Sequence, residues 1–111
     1  MVDDVGAVFG KLEGELRRGV VVLAVLSRLR TAQYGYSLRQ ALEAGGMPIE
    51  EGTLYPLLRR LESQGVLTSS WNTDGSSPRR YYSLSEAGER LYGQLRETWR
   101  GHVGVMDKLL D

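Results

Sequence analysis

The chain contains no cysteine, which rules out disulfide staples, thiolate metal sites and a cysteine nucleophile. Its absence suits a reducing cytoplasm, which is the expected location. Histidine occurs once, at His102, with no second ligand at metal-binding spacing and no partner set for a Ser-His-Asp hydrolase. Neither a Gly-x-Gly-x-x-Gly turn nor a phosphate loop occurs, and no nucleophile elbow surrounds any serine. No metal, cofactor or enzymatic activity is expected. The longest apolar run, Val20–Leu26, has seven residues, against the roughly 20 that a membrane span requires. The first four residues, Met1-Val2-Asp3-Asp4, are acidic and lack the basic start of a secretory signal. Charge of either sign is also not in excess. Fourteen basic and 14 acidic residues cancel, so affinity for a polyanion must come from local clustering.

The 111 residues are 41% hydrophobic and 25% charged, a composition that suits one globular domain. Residues 3–16 place Val5, Val8, Phe9, Leu12 and Leu16 at steps of three, one, three and four. This is a helical stripe. Gly6, Gly10 and Gly14 interrupt it, each costing about 1 kcal/mol relative to alanine. Residues 1–15 therefore read as a helical arm ordered against a partner. A second, central helix is expected over 16–29, where Val20, Val21, Val22, Leu23, Val25, Leu26 and Leu29 are apolar on most sides. Thr31–Gly35 reads as a connector, and 36–44 as a short helix stopped by Gly45-Gly46.

Pro48-Ile49-Glu50-Glu51 opens a third helix, with both carboxylates at the positive end of its dipole. Leu54, Leu57, Leu58 and Leu61 form its buried stripe, and Gly65 ends it. Pro56 lies inside it and removes one backbone bond. The crowded carbonyl belongs to Gly52, which can adjust, and a kink is expected there. Residues 66–71 and 79–84 favour strands, joined by the turn-rich segment Asn72–Pro78, giving a hairpin with a flexible tip. Trp71 is expected to pack on the base of that hairpin. Tyr81 and Tyr82 alternate across the strand, so one should be core and the other exposed.

Ser85 can cap a last helix with Glu86 in its first turn. In it, Leu91, Leu95, Trp99, Val103, Met106 and Leu110 recur at three or four residues. At 1.5 Å per residue this helix approaches about 40 Å, more than so small a core can cover. Part of its stripe should face a second subunit.

The expected fold is therefore mainly α with a small β-hairpin. It divides into an arm (1–15), a winged helix-turn-helix domain (16–84) and a C-terminal dimerisation helix (85–111). A helix fits the major groove of B-DNA, and a basic hairpin reaches the adjacent backbone or minor groove. Between Gly52 and Tyr82 four arginines face two carboxylates, a local balance of +2. Opposite the leucine stripe the third helix carries Gly52, Pro56, Arg59 and Ser63, flanked by Thr53, Tyr55 and Arg60. Arginine supplies bidentate donors for guanine edges or phosphate, and the hydroxyls can bond either.

Three segments resemble PadR-type transcriptional regulators. Glu51–Glu62 (EGTLYPLLRRLE) resembles their recognition helix, Tyr34–Leu38 (YGYSL) the start of their second helix, and Pro78–Gly88 (PRRYYSLSEAG) their wing and last-helix start. The resemblance covers about 16–100. It implies a winged helix domain, a C-terminal dimerisation helix and repression of transcription. It also implies contacts to double-stranded DNA from Tyr36, Ser37, Thr53, Tyr55 and Arg59, and from Arg79 and Arg80 on the wing; Arg60 joins them from the charge pattern. Some members bind planar aromatic compounds beside a last-helix tryptophan, which would make Trp99 a ligand contact as well as part of the dimer core. Two departures stand out. Glu50 replaces the serine or threonine usual before Glu51, and the wing tip Asp74-Gly75-Ser76-Ser77 has no basic residue.

Plainer readings accompany these. Arg59 and Arg60 also suit a solvated helix face, and Tyr34 and Tyr36 also suit packing against the first helix. A winged-helix module that binds a protein instead of DNA is the alternative function, favoured by the zero net charge and the neutral wing tip.

Overall fold

The computed structural model describes residues 4–75 and 77–111; Met1, Val2, Asp3 and Ser76 lie outside it. The expected flexible wing tip includes Ser76 and so falls partly outside the described residues. Among the described residues four helices and three short strands follow in the order α1 (Val5–Arg28), β1 (Gln33–Tyr34), α2 (Gly35–Ala44), α3 (Glu51–Ser63), β2 (Leu67–Asn72), β3 (Arg79–Leu84) and α4 (Glu86–Leu110).

The two N-terminal segments read separately in the sequence form one helix. Asp4 caps it, its carboxylate accepting from Ala7 N at 3.0 Å. The three glycines do not break α1. Its C-terminal half is buried through Val21, Val25 and Leu26, while Val5, Phe9, Leu12 and Leu16 stand exposed in the first half. Leu26, Leu29, Leu38, Leu54 and Leu58, at most 1% exposed, are the centre of the core. Leu42, Leu61, Val66, Leu67, Tyr82 and Leu84 close it. The residue read as core in the Tyr81-Tyr82 pair is thus Tyr82, and Tyr81 is half-buried on the other face.

β2 and β3 pair antiparallel from Leu67↔Leu84 to Asn72↔Arg79. The segment expected to be a connector adds a third strand, because Gln33 and Tyr34 pair with Tyr82 and Tyr81 in the order β1-β3-β2. Leu84 N also donates to Leu29 O at 2.8 Å, tying the sheet to the end of α1. α3 runs unbroken through Pro56 and is followed by Gly65 at φ +80°, a left-handed position that glycine takes without strain.

Ser85 caps α4, accepting from Gly88 N at 2.9 Å, and its own N–H donates to Val66 O at 2.9 Å. Beyond this junction α4 leaves the core. Leu91, Leu95, Trp99, Val103 and Met106 are about two-fifths exposed. The radius of gyration is 16.5 Å, against about 13 Å for a compact chain of this length. The excess reflects two long helices whose apolar faces outrun the single small core. None of the described helices is long and apolar enough to cross a membrane.

Candidate nucleic-acid interface

The polar face of α3 is aimed by clamps at its start. Glu50 is its N-cap and makes no side-chain capping bond, in keeping with the absence of serine or threonine there. Two arginines hold this junction instead. Arg17 of α1 donates to Pro48 O. Arg39 of α2 donates to Ile49 O at 3.3 Å and pairs with Glu51 at 2.9 Å. The turn between α2 and α3 is thereby tied to both preceding helices.

The second constraint is steric. Gly35 begins α2 directly beneath the Tyr55 ring, and an added Cβ would overlap the Tyr55 hydroxyl and lie 2.7 Å from Cε1 and Cζ. Gly35→Ala must displace that ring, and we expect a loss of about 2 kcal/mol, the usual range for overpacking. Thermal melts of Gly35→Ala, Tyr55→Ala and the double variant check this. The two effects should be strongly non-additive, with the alanine at 35 tolerated once the ring is gone. Simple additivity would show that Tyr55 is not the obstacle.

The residues singled out from sequence fall into three groups. Around the start of α2, Tyr36 is exposed and stacks on Tyr34 at 6.4 Å, and Tyr34 packs against Tyr81 at 5.4 Å. The Arg79 guanidinium lies over the Tyr34 ring, 4.6 Å from its centroid. This holds a wing cation beside the second helix, within the usual range for cation–π attraction. Ser37 belongs to this group by position, but its hydroxyl donates inward, 2.7 Å from Gln33 Oε1 and 3.0 Å from Tyr34 O. Tyr55 is half-buried against Gly35.

The second group lies along α3. Arg59 is exposed and, among the described residues, its side chain makes no hydrogen bond or ion pair. Thr53 and Arg60 line the opposite flank, a groove shared with Arg17 and Val21 of α1 and Tyr36 and Gln40 of α2. Adjacent arginines in sequence therefore serve different faces.

Arg80 stands apart. Its Nη2 bonds Glu62 of α3 at 2.9 Å and its Nε donates to Ser69 Oγ at 3.0 Å. It is a bridge between wing and helix. Trp71, expected to pack on the hairpin base, is instead 65% exposed: it pairs with Arg80 near the outer end of the hairpin, where the core has already ended. Reasoning from sequence missed Tyr34 as the support for Arg79, and the Arg17 and Arg39 clamps. Alternation across Tyr34-Gly35-Tyr36 was the available signal for the first. Nothing local marks the clamps. His102 is exposed on α4, and no metal-ligating cluster occurs among the described residues.

Three packed helices, the third with an outward polar face, followed at once by an antiparallel wing, define a winged helix-turn-helix domain with an appended C-terminal helix. The comparisons agree. The model of the transcriptional regulator PadR-like family matches residues 22–94. The chain is 36% identical over 75 residues to the transcriptional regulator Rv3488 of Mycobacterium tuberculosis, covering 67% of this chain and 70% of that one. It resembles the crystal structure of a PadR family transcriptional regulator from Eggerthella lenta with a TM-score of 0.85 and 45% identity, over 95% of this chain and 94% of that one. A transcriptional regulator from Clostridium thermocellum superposes with a TM-score of 0.80 at 29% identity, over 87% and 99%. The protein belongs to the PadR-like family of transcriptional regulators, which is not a family of enzymes.

Proposed function

We propose that the protein is a homodimeric, operator-binding repressor acting in the cytoplasm. The observation that carries this is the exposed side chain of Arg59 on the outward face of α3, with no hydrogen-bond or ion-pair partner among the described residues, together with Arg79 held over Tyr34 on the wing. In this reading each subunit lays α3 in a major groove. Arg59 reads a base edge, Thr53 and Arg60 contact the flanking strand, Tyr36 and Arg79 hold phosphates, and Tyr55 and Ser37 set the angle between the two helices. The first half of α1 serves as an arm, 16–84 as the DNA-binding domain and 85–111 as the dimerisation helix. Two-fold symmetry asks for a near-palindromic site with half-sites about 34 Å apart.

Arg59→Ala is expected to weaken binding to the operator by about 1–3 kcal/mol while leaving binding to random duplex nearly unchanged. Equal loss on both would make Arg59 a phosphate contact. Loss on neither would remove it from the interface.

Trp99 lies in the middle of the α4 stripe and is 43% exposed in the single chain. Two such indoles facing each other across a dimer would suit a flat aromatic effector that relieves repression. Titration with planar aromatic compounds should quench tryptophan fluorescence, and quenching that persists in Trp99→Phe would sink this part of the reading.

A further inference from the structure

The wing carries an exposed indole on a rigid mount. Trp71 shares one face of the hairpin with Leu67 and Ser69, because strand residues two apart point the same way. That face is turned toward α3, since Leu67 enters the core and both Ser69 and Arg80 bond Glu62. Arg80 sits opposite Trp71 in the ladder, its guanidinium 5.9 Å from the Trp71 ring and 5.5 Å from Tyr82. Glu62 fixes Arg80 from below and neutralises its charge. Glu62 is one turn from Arg59 on α3, so neighbours on one helix surface lead from Arg59 to the indole.

We propose that Trp71 is a DNA-backbone contact and that Arg80 is its positioning residue. The inference rests on the operator-binding reading and deepens it. An indole is flat and largely apolar with one N–H donor and no acceptor. It can lie on deoxyribose carbons and donate Nε1–H to a phosphate oxygen, adding contact area without adding charge. The paired Arg80 cation is held by Glu62 and Ser69 through two of its five N–H donors, with its charge balanced by the Glu62 carboxylate, so its task is to hold the ring. This accounts for a large aromatic left exposed at the point where the core has ended, and for a doubly bonded arginine beneath it.

The test is fluorescence anisotropy of a labelled duplex from the region upstream of the protein's own gene, across a salt series. Trp71→Ala should weaken binding about tenfold, equivalent to 1.4 kcal/mol, with an unchanged salt slope and an unchanged melting temperature. Trp71→Phe should recover part of the loss. Arg79→Ala, by contrast, should lower the slope by about one, as a phosphate-paired cation does. Arg80→Gln should weaken binding at constant slope and add nothing to Trp71→Ala, because it acts through the same ring. In a two-dimensional nitrogen–proton spectrum of the full-length protein, the indole signal absent from Trp71→Phe should shift on duplex addition.

Wild-type affinity in Trp71→Ala, with Arg59→Ala still impaired, would overturn the inference and leave the operator reading standing. A lower slope in Arg80→Gln, additive with Trp71→Ala, would overturn it too and make Arg80 itself the phosphate contact. A wild type that binds no duplex would remove both readings.

Discussion

Gly88→Ala is expected to destabilise the protein by about 3 kcal/mol and to lower Tm by roughly 10 °C, using the usual conversion for a domain of this size. Gly88 is in the first turn of α4, where its N–H completes the Ser85 cap. An added Cβ would overlap Val66 O and lie 3.1 Å from Val66 C and 3.3 Å from Ser85 Oγ. The obstacle is backbone that already accepts from Ser85 N, so no flexible side chain can move aside. To admit a methyl group, α4 must draw away from the start of β2. The alanine gains about 1 kcal/mol of helix propensity, so the steric cost exceeds the net value. Gly93→Ala on the same helix is the control. Nothing lies within 4 Å of its added Cβ, and it should be neutral or stabilising by up to about 1 kcal/mol. An undiminished Tm in Gly88→Ala would mean that α4 is not seated on Val66 as described.

Leu95→Asp should have the largest effect on assembly. Leu95 lies in the run Leu91, Leu95, Trp99, Val103 and Met106, which is exposed in a single chain and continues along the helix far from the core. An isologous interface would bury two introduced carboxylates, one from each subunit, at about 3–5 kcal/mol for every uncompensated charge. The proposed dimer should dissociate at micromolar concentration, as read by sedimentation velocity. Operator affinity should fall by more than about 100-fold, because the second half-site would no longer be captured at high effective concentration. The far-ultraviolet spectrum should remain helical, since the core lies elsewhere. A Leu95→Asp dimer of undiminished stability would place the interface on another surface.

The strongly periodic elements were legible in the sequence. The Leu54, Leu57, Leu58 and Leu61 stripe, the hairpin strands and the Ser85 cap each rest on neighbouring residues, and the structure places them within a residue or two of expectation. α1 was divided because its glycines raise the local cost of helix. Packing of its C-terminal half and the Asp4 cap keep it continuous. β1 is not legible in the sequence because two residues carry no period, and only the Tyr81-Tyr82 edge reveals Gln33-Tyr34 as a strand.

For the candidate interface the elements that carry its residues were legible, and the partners of each side chain were not. Arg79 and Arg80 are adjacent and chemically identical, but strand alternation sends them to opposite faces. One rests on Tyr34, and the other meets a carboxylate 18 residues earlier. Ser37 likewise has its hydroxyl taken by the helix start. The exposure of Trp71 is not legible in the sequence, because a large aromatic beside a turn usually finds apolar cover. Here the cover ends at Tyr82, one pleat before it.

In the proposed function the outward face of α3 and the wing read a specific duplex. The most direct test is fluorescence anisotropy of the DNA upstream of the protein's own gene against a scrambled duplex of equal length, at two salt concentrations. Binding at least a hundredfold tighter to the natural sequence is expected, weakening steeply as salt is raised because phosphate contacts release counterions. Equal binding to both duplexes, or none at low salt, would contradict it and point to a protein as the partner of these faces.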